Sequence, residues 1–189
     1  MSTLALTLDD GPNAETTPAL LDLLAVHRAH ATFFPIAERA AAQPSLIARM
    51  LSESHTVGVH CVAHVRHSEC DADAIRHDTD RALTTLRGLG ANPVLWRTPW
   101  GVTAPFTHQI AEEHALRIVG WDVDTHDWRG DRAEAMLAAT RAGLTRGAVI
   151  LAHDGVGPGA RRTEASETVR YAEQLITYAS QSSLTLEAL

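Results

Sequence analysis

The sequence predicts an α/β protein: a parallel sheet with crossover helices, closed into a barrel. Two observations lead there. Short apolar runs alternate with helical ones along the whole chain, and several runs end on Asp, His or Arg, at the strand ends where such folds keep their chemistry. Seven strand-like runs read at residues 4–8, 31–36, 56–60, 94–97, 117–122, 148–153 and 184–189. Helical patterns read at 17–30, 38–52, 72–89, 105–115, 133–144 and 164–180.

The first run ends on Asp9-Asp10, and Gly11-Pro12 forces a turn straight after it. The helix that follows places Leu20, Leu21 and Leu24 at helical steps. Pro44 predicts a break inside the second helical stretch. The third run ends on His60, the fourth on Arg97 and the sixth on His153. The glycine-rich piece 154–160 lacks the Lys-Ser/Thr of a phosphate loop and reads as a flexible rim loop. No repeat or linker interrupts the 189 residues, so residues 1–189 read as one domain with a substantial core.

Composition narrows the function. Apolar content of 45% and charged content of 21% are ordinary for a soluble globular chain. The formal net charge is −7 without a basic block, which argues against nucleic acid or an acidic polymer as partner. No apolar run is long enough to span a membrane. The first strand starts almost at Met1 without a leader, so the chain reads as cytoplasmic, or as secreted if it is a trimmed mature domain. Cys61 and Cys70 do not make a disulfide framework, and Cys61 reads as a small packed residue.

The chemistry begins with the two carboxylates. Adjacent Asp9 and Asp10 repel unless a cation joins them. His60 and His64 are four apart, and on a helical turn they face the same way and share one ion. One Asp with two His is a facial set that leaves positions open for water and substrate. By itself a His-x-x-x-His pair is more often two surface histidines, and paired Asp can cap a helix. The combination favours a metal.

Five short segments in fixed order extend the pattern. They are Thr7-Leu8-Asp9-Asp10-Gly11-Pro12, His60-Cys61-Val62-Ala63-His64, Arg97-Thr98-Pro99-Trp100-Gly101, Asp124-Thr125-His126-Asp127-Trp128 and Leu151-Ala152-His153. In these the chain resembles the polysaccharide deacetylases of the NodB-homology type, carbohydrate esterase family 4. The resemblance runs from about residue 4 to the C-terminus, and it implies a distorted (β/α) barrel with an incomplete strand set. It departs from the family pattern at Leu8, Cys61 and Trp100, and at Val65-Arg66, where proline is common.

The resulting reading is a metal-dependent deacetylase for the N-acetyl groups of an amino sugar or oligosaccharide. Asp10, His60 and His64 hold a divalent ion, Zn²⁺ first, with Co²⁺, Ni²⁺, Mn²⁺ or Fe²⁺ as alternatives. Asp9 is left free as general base, a division the resemblance also implies, and Arg97 pairs with it. His153 approaches from the opposite wall as general acid; the resemblance assigns Asp127 as its partner. The family pattern also implies an oxyanion role for the Trp100 N–H, with Trp128 and Leu151 walling the acetyl methyl. Competing readings are an O-acetyl esterase on acetylxylan, a deacylase of a small N-acyl metabolite, and a silent carbohydrate-binding protein. His67 is an alternative ligand, His126 has no assigned role, and Trp96 and Trp121 read as core. His27, His30, His55, His77, His108 and His114 read as surface residues.

Overall fold

The structure, a computed structural model, describes residues 3–189. Its centre is β1 (Thr3–Asp9), six of whose seven residues are buried, as expected of a parallel strand covered on both faces. On one side of β1 lie β2 (Thr32–Phe34) and β3 (Thr56–Val57). Beyond them the Val59–Trp96 bridge leads to β4 (Leu95–Trp96), which pairs with β5 (Arg117–Ile118). On the other side lie β7 (Val149–His153) and then β6 (Val123–Asp124). Every pairing is parallel.

The strands thus run round a ring that stays open between β5 and β6, which form no ladder among the described residues. Arg97 caps the chain as it leaves β5: its guanidinium donates to the Val119 and Gly120 carbonyls at 3.3 and 2.8 Å. This is the expected distorted barrel. The run expected at 117–122 divides into β5 and β6, because the chain leaves the ladder at Gly120 and rejoins at Val123 against Ile150. The last strand, β8 (Thr185–Leu186), pairs with the start of β1. The Leu186 carbonyl accepts the His30 N–H at 3.2 Å, so β8 lies between the bottoms of β1 and β2.

The crossover helices are α1 (Thr16–His27), α2 (Ala37–Ala42), α3 (Pro44–Ser52), α4 (Ala72–Gly88), α5 (Thr107–Glu113), α6 (Ala133–Thr140) and α7 (Ser166–Gln181). Pro44 separates α2 from α3 as its missing N–H and fixed φ require. Leu20, Leu21 and Leu24 of α1 and Tyr171, Ala172 and Leu175 of α7 are buried in one core with Leu4, Leu6, Leu8 and Phe33. No helix among the described residues is long and apolar enough to cross a membrane.

Candidate active site

The register of the sheet assembles the site. Asp9 at the end of β1 sits level with Phe34 of β2 and His153 of β7. A cleft of about 460 Å³ opens there, lined by Asp9, Asp10, His60, His64, Trp100 and His153 among others.

One ligand atom from each of Asp10, His60 and His64 lies within 4.8 Å of the other two. The Nε2 atoms of both histidines stand 3.4 Å from Asp10 Oδ1. That oxygen is buried and has no hydrogen-bond partner among the described residues. His60 Nδ1 lies 2.6 Å from the Arg97 carbonyl, which only accepts, so Nδ1 carries the proton and Nε2 offers its lone pair. Burial alone would raise the Asp10 carboxyl, but the facing imidazoles, His60 first, take it down to about 2. Burial and then His60 lower the His64 imidazole to about 4, keeping it neutral. An orphaned buried carboxylate oxygen facing two imidazole nitrogens fits a divalent cation.

The histidine pair does not lie on a helical turn as expected. Residues 62–63 form a bend straight after the bridge from Cys61 to Ile36. The Asp78 carboxylate of α4 fixes the bend by accepting the Val62 and Ala63 N–H groups at 2.9 and 2.7 Å. Cys61 is buried and its sulfur does not join the ligand group. His67 also stays out of it. Its Nδ1 pairs with the Thr107 hydroxyl at 3.0 Å, and its ring packs on Trp96.

Asp9 is held separately. Arg97, fully buried, donates from Nη1 to Asp9 Oδ1 at 3.1 Å and to the Thr7 hydroxyl. His153 stands on the strand beside Asp9 rather than on the expected opposite wall; its Nδ1 lies 2.7 Å from Asp127 Oδ1, and its N–H donates to Asp127 Oδ2 at 2.9 Å. Burial would lower the His153 imidazole, but the Asp127 charge and hydrogen bond outweigh it and hold it up at about 9. Asp127 itself is pushed well below the usual carboxylate range, the His153 and Arg162 charges overcoming its burial.

The walls come from three segments. Trp100 is 39% exposed, its φ is +54°, and its ring stands edge-on to His64 at 4.1 Å. Trp128 and Leu151 line the same cleft. Residues 155–160 close the rim, but not as a free loop. A Cβ on Gly157 would collide with the Asp10 carboxylate, and one on Gly155 with the Asp10 carbonyl. Arg39 of α2 ties the two together, donating to the Asp10 carbonyl at 2.7 Å and the Val156 carbonyl at 3.0 Å.

Other expectations need correction. Trp96 is core, but Trp121 is half-buried, lines the cleft and packs against Gly101. It follows the break in the sheet, which turns its ring toward the site. His55 is buried rather than on the surface: its Nδ1 accepts the Ala31 N–H at 3.2 Å and its ring packs on Phe33. His126 stays near the surface beside Asp124, outside the cleft lining. Sequence reading missed Arg39, Asp78, Asp154, Arg162 and Thr168. The one local signal was Asp154, which follows His153 directly. It is buried under the turn at Gly11, bonded to Thr17 at 2.5 Å, and burial raises its carboxyl to about 7.

A sequence model described as polysaccharide deacetylase matches residues 1–119. The chain belongs to this family. It is 36% identical over 181 residues to a chitooligosaccharide deacetylase of Bradyrhizobium sp. (strain ANU 289), covering 90% of this chain and 81% of that one. The fold superposes on the crystal structure of the Bc1960 peptidoglycan N-acetylglucosamine deacetylase with a TM-score of 0.91 and 30% identity, covering 100% of this chain and 86% of that one. A family 4 carbohydrate esterase from Streptomyces lividans, in complex with acetate, gives 0.88 and 26%, with 98% and 91% covered. This polysaccharide deacetylase is therefore a hydrolase of the deacetylase type, acting on amide bonds.

Proposed function

We propose that the protein is a divalent-metal-dependent deacetylase that removes N-acetyl groups from an amino sugar or oligosaccharide, chitooligosaccharide or peptidoglycan-like, and that one domain over residues 1–189 does so. The observation that carries this reading is the arrangement of three side-chain sets around one cleft. The Asp10–His60–His64 donor set, with its orphaned Asp10 oxygen, lines the same cleft as Asp9, held by Arg97, and His153, held by Asp127. A divalent ion there, zinc by donor type, supplies Lewis-acid polarisation of the acyl oxygen and a more acidic water.

The chain's own residues divide the proton work. Asp9 takes the proton from the attacking water, and the Arg97 guanidinium fixes its carboxylate without competing for a proton. His153, with Nδ1 occupied by Asp127, presents Nε2–H to the departing nitrogen. The proton leaves with the amine as the carbon–nitrogen bond breaks. Trp128 and Leu151 give the acetyl methyl an apolar wall, and the Trp100 N–H serves the acyl oxygen.

The test is product analysis on chitooligosaccharide, peptidoglycan fragments and acetylxylan, with metal content measured in the same sample. Release of free amine from an N-acetyl sugar is expected. Acetate from acetylxylan alone would make the protein an O-deacetylase, and inactivity on all three at full metal loading would overturn the reading.

A further inference from the structure

Asp127 does more than face His153. Its Oδ2 accepts three bonds: from the His153 N–H at 2.9 Å, from Arg162 Nη1 at 3.0 Å and from the Thr168 hydroxyl at 2.7 Å. Arg162 lies in the segment between β7 and α7, and Thr168 in the first turn of α7. Both are buried, as is Asp127.

The arginine's geometry is fully specified at its tip. Nη1 donates to Asp127 Oδ2 and to the Thr168 oxygen at 2.6 Å. Nη2 donates to the His153 carbonyl at 2.8 Å and the Gly155 carbonyl at 3.0 Å. All four terminal hydrogens are therefore used on three targets: the carboxylate that orients the histidine, the Thr168 hydroxyl, and the backbone on either side of Asp154. Thr168 receives one bond and passes one on, which completes the Asp127 Oδ2 shell. Only Oδ1 is left for the imidazole, so the carboxylate cannot rotate away from His153 without breaking buried charge-assisted bonds.

We infer that Arg162, with Thr168, is a positioning residue for proton delivery: it locks Asp127 and the His153 backbone so that the imidazole Nε2–H points at the leaving group. The inference rests on the proposed acid role of His153. Arg162 transfers no proton itself. The step it serves moves one proton from His153 Nε2 to the amine nitrogen as the acyl bond breaks, leaving neutral imidazole and free amine.

The test uses leaving groups. An N-acetyl sugar needs its nitrogen protonated, whereas an activated aryl acetate departs unaided. The metal-loaded wild type and the variants Arg162→Met, Arg162→Lys, Thr168→Val and His153→Ala are assayed on both substrates, with thermal melts for folding. Arg162→Met is expected to lose about 10-fold or more in kcat on the N-acetyl sugar, the scale of a lost orienting partner, with far less lost on the aryl acetate. Arg162→Lys should recover part of the amide rate, and Thr168→Val should lose less than Arg162→Met in the same direction. Equal losses on both substrates, or no loss, in Arg162→Met while His153→Ala keeps its amide-selective defect would overturn the inference alone. An unselective His153→Ala would overturn the acid role and the inference together. If Arg162→Met does not fold, the lysine and valine variants decide, and the absence of amide selectivity in both counts against the inference.

Discussion

At the scale of single residues, two neighbouring carboxylates diverge because their surroundings differ. Asp10 faces two imidazoles and Asp9 faces a guanidinium. Asp9→Asn keeps the size and the Arg97 contact but removes the proton acceptor, so kcat is expected to fall about 100-fold or more with metal retained. Metal loss in that variant, alongside retention in Asp10→Asn, would invert the two roles. The paired variant His60→Ala, His64→Ala should bind no metal; full occupancy would refute the ligand set. His153 lies above its ordinary value because of Asp127. Its acid form therefore persists as pH rises and is lost through about 9, which places the alkaline limb of kcat/KM there. Removing the Asp127 charge by Asp127→Asn should move that limb to lower pH. An unmoved limb would show that another group sets it.

At the scale of elements, the site depends on close approach between segments distant in sequence. The rim loop after β7 can touch Asp10 because residue 157 has no Cβ. Asp10 itself holds a φ of +70°, a conformation non-glycine residues occupy at a cost of about 1–3 kcal/mol. Arg39 and the loop hold it there. Gly157→Ala is accordingly expected to weaken metal affinity about tenfold or more by displacing a ligand carboxylate. Titration calorimetry against the wild type checks this, and an unchanged affinity would mean the loop gives way freely. The Asp78 bonds to the 62–63 bend do similar work for the histidines.

At the scale of the whole molecule, the donor set joins three segments of the barrel: the ends of β1, the bend after β3, and, through the Arg97 carbonyl, the end of β4. An ion bound only by the folded chain stabilises it by mass action, about 2.7 kcal/mol at a hundredfold excess over Kd. For a chain of this size that is a rise in Tm of roughly 5 °C or more. Chelation should lower Tm by that amount and zinc should restore it, as thermal melts with measured metal content would show. Equal melting temperatures for the loaded and stripped protein would argue that the set binds no ion in the folded state.

The order of elements and several of the residues that line the cleft were legible because they are local. Apolar runs ending in Asp9-Asp10, His60, Arg97 and His153 mark strand ends, and Pro44 marks a helix break through its own backbone chemistry. What was not legible depends on register and packing between remote segments. Nothing local reveals that the barrel stays open between β5 and β6, that Arg97 bonds the carbonyls after β5, or that Trp121 lines the cleft. Nor does sequence distinguish Arg162 from the exposed Arg161 beside it, or buried His55 from its surface counterparts. Their roles come from which carbonyls and carboxylates the folded barrel leaves needing a partner, and a buried polar group must find one wherever the fold places it.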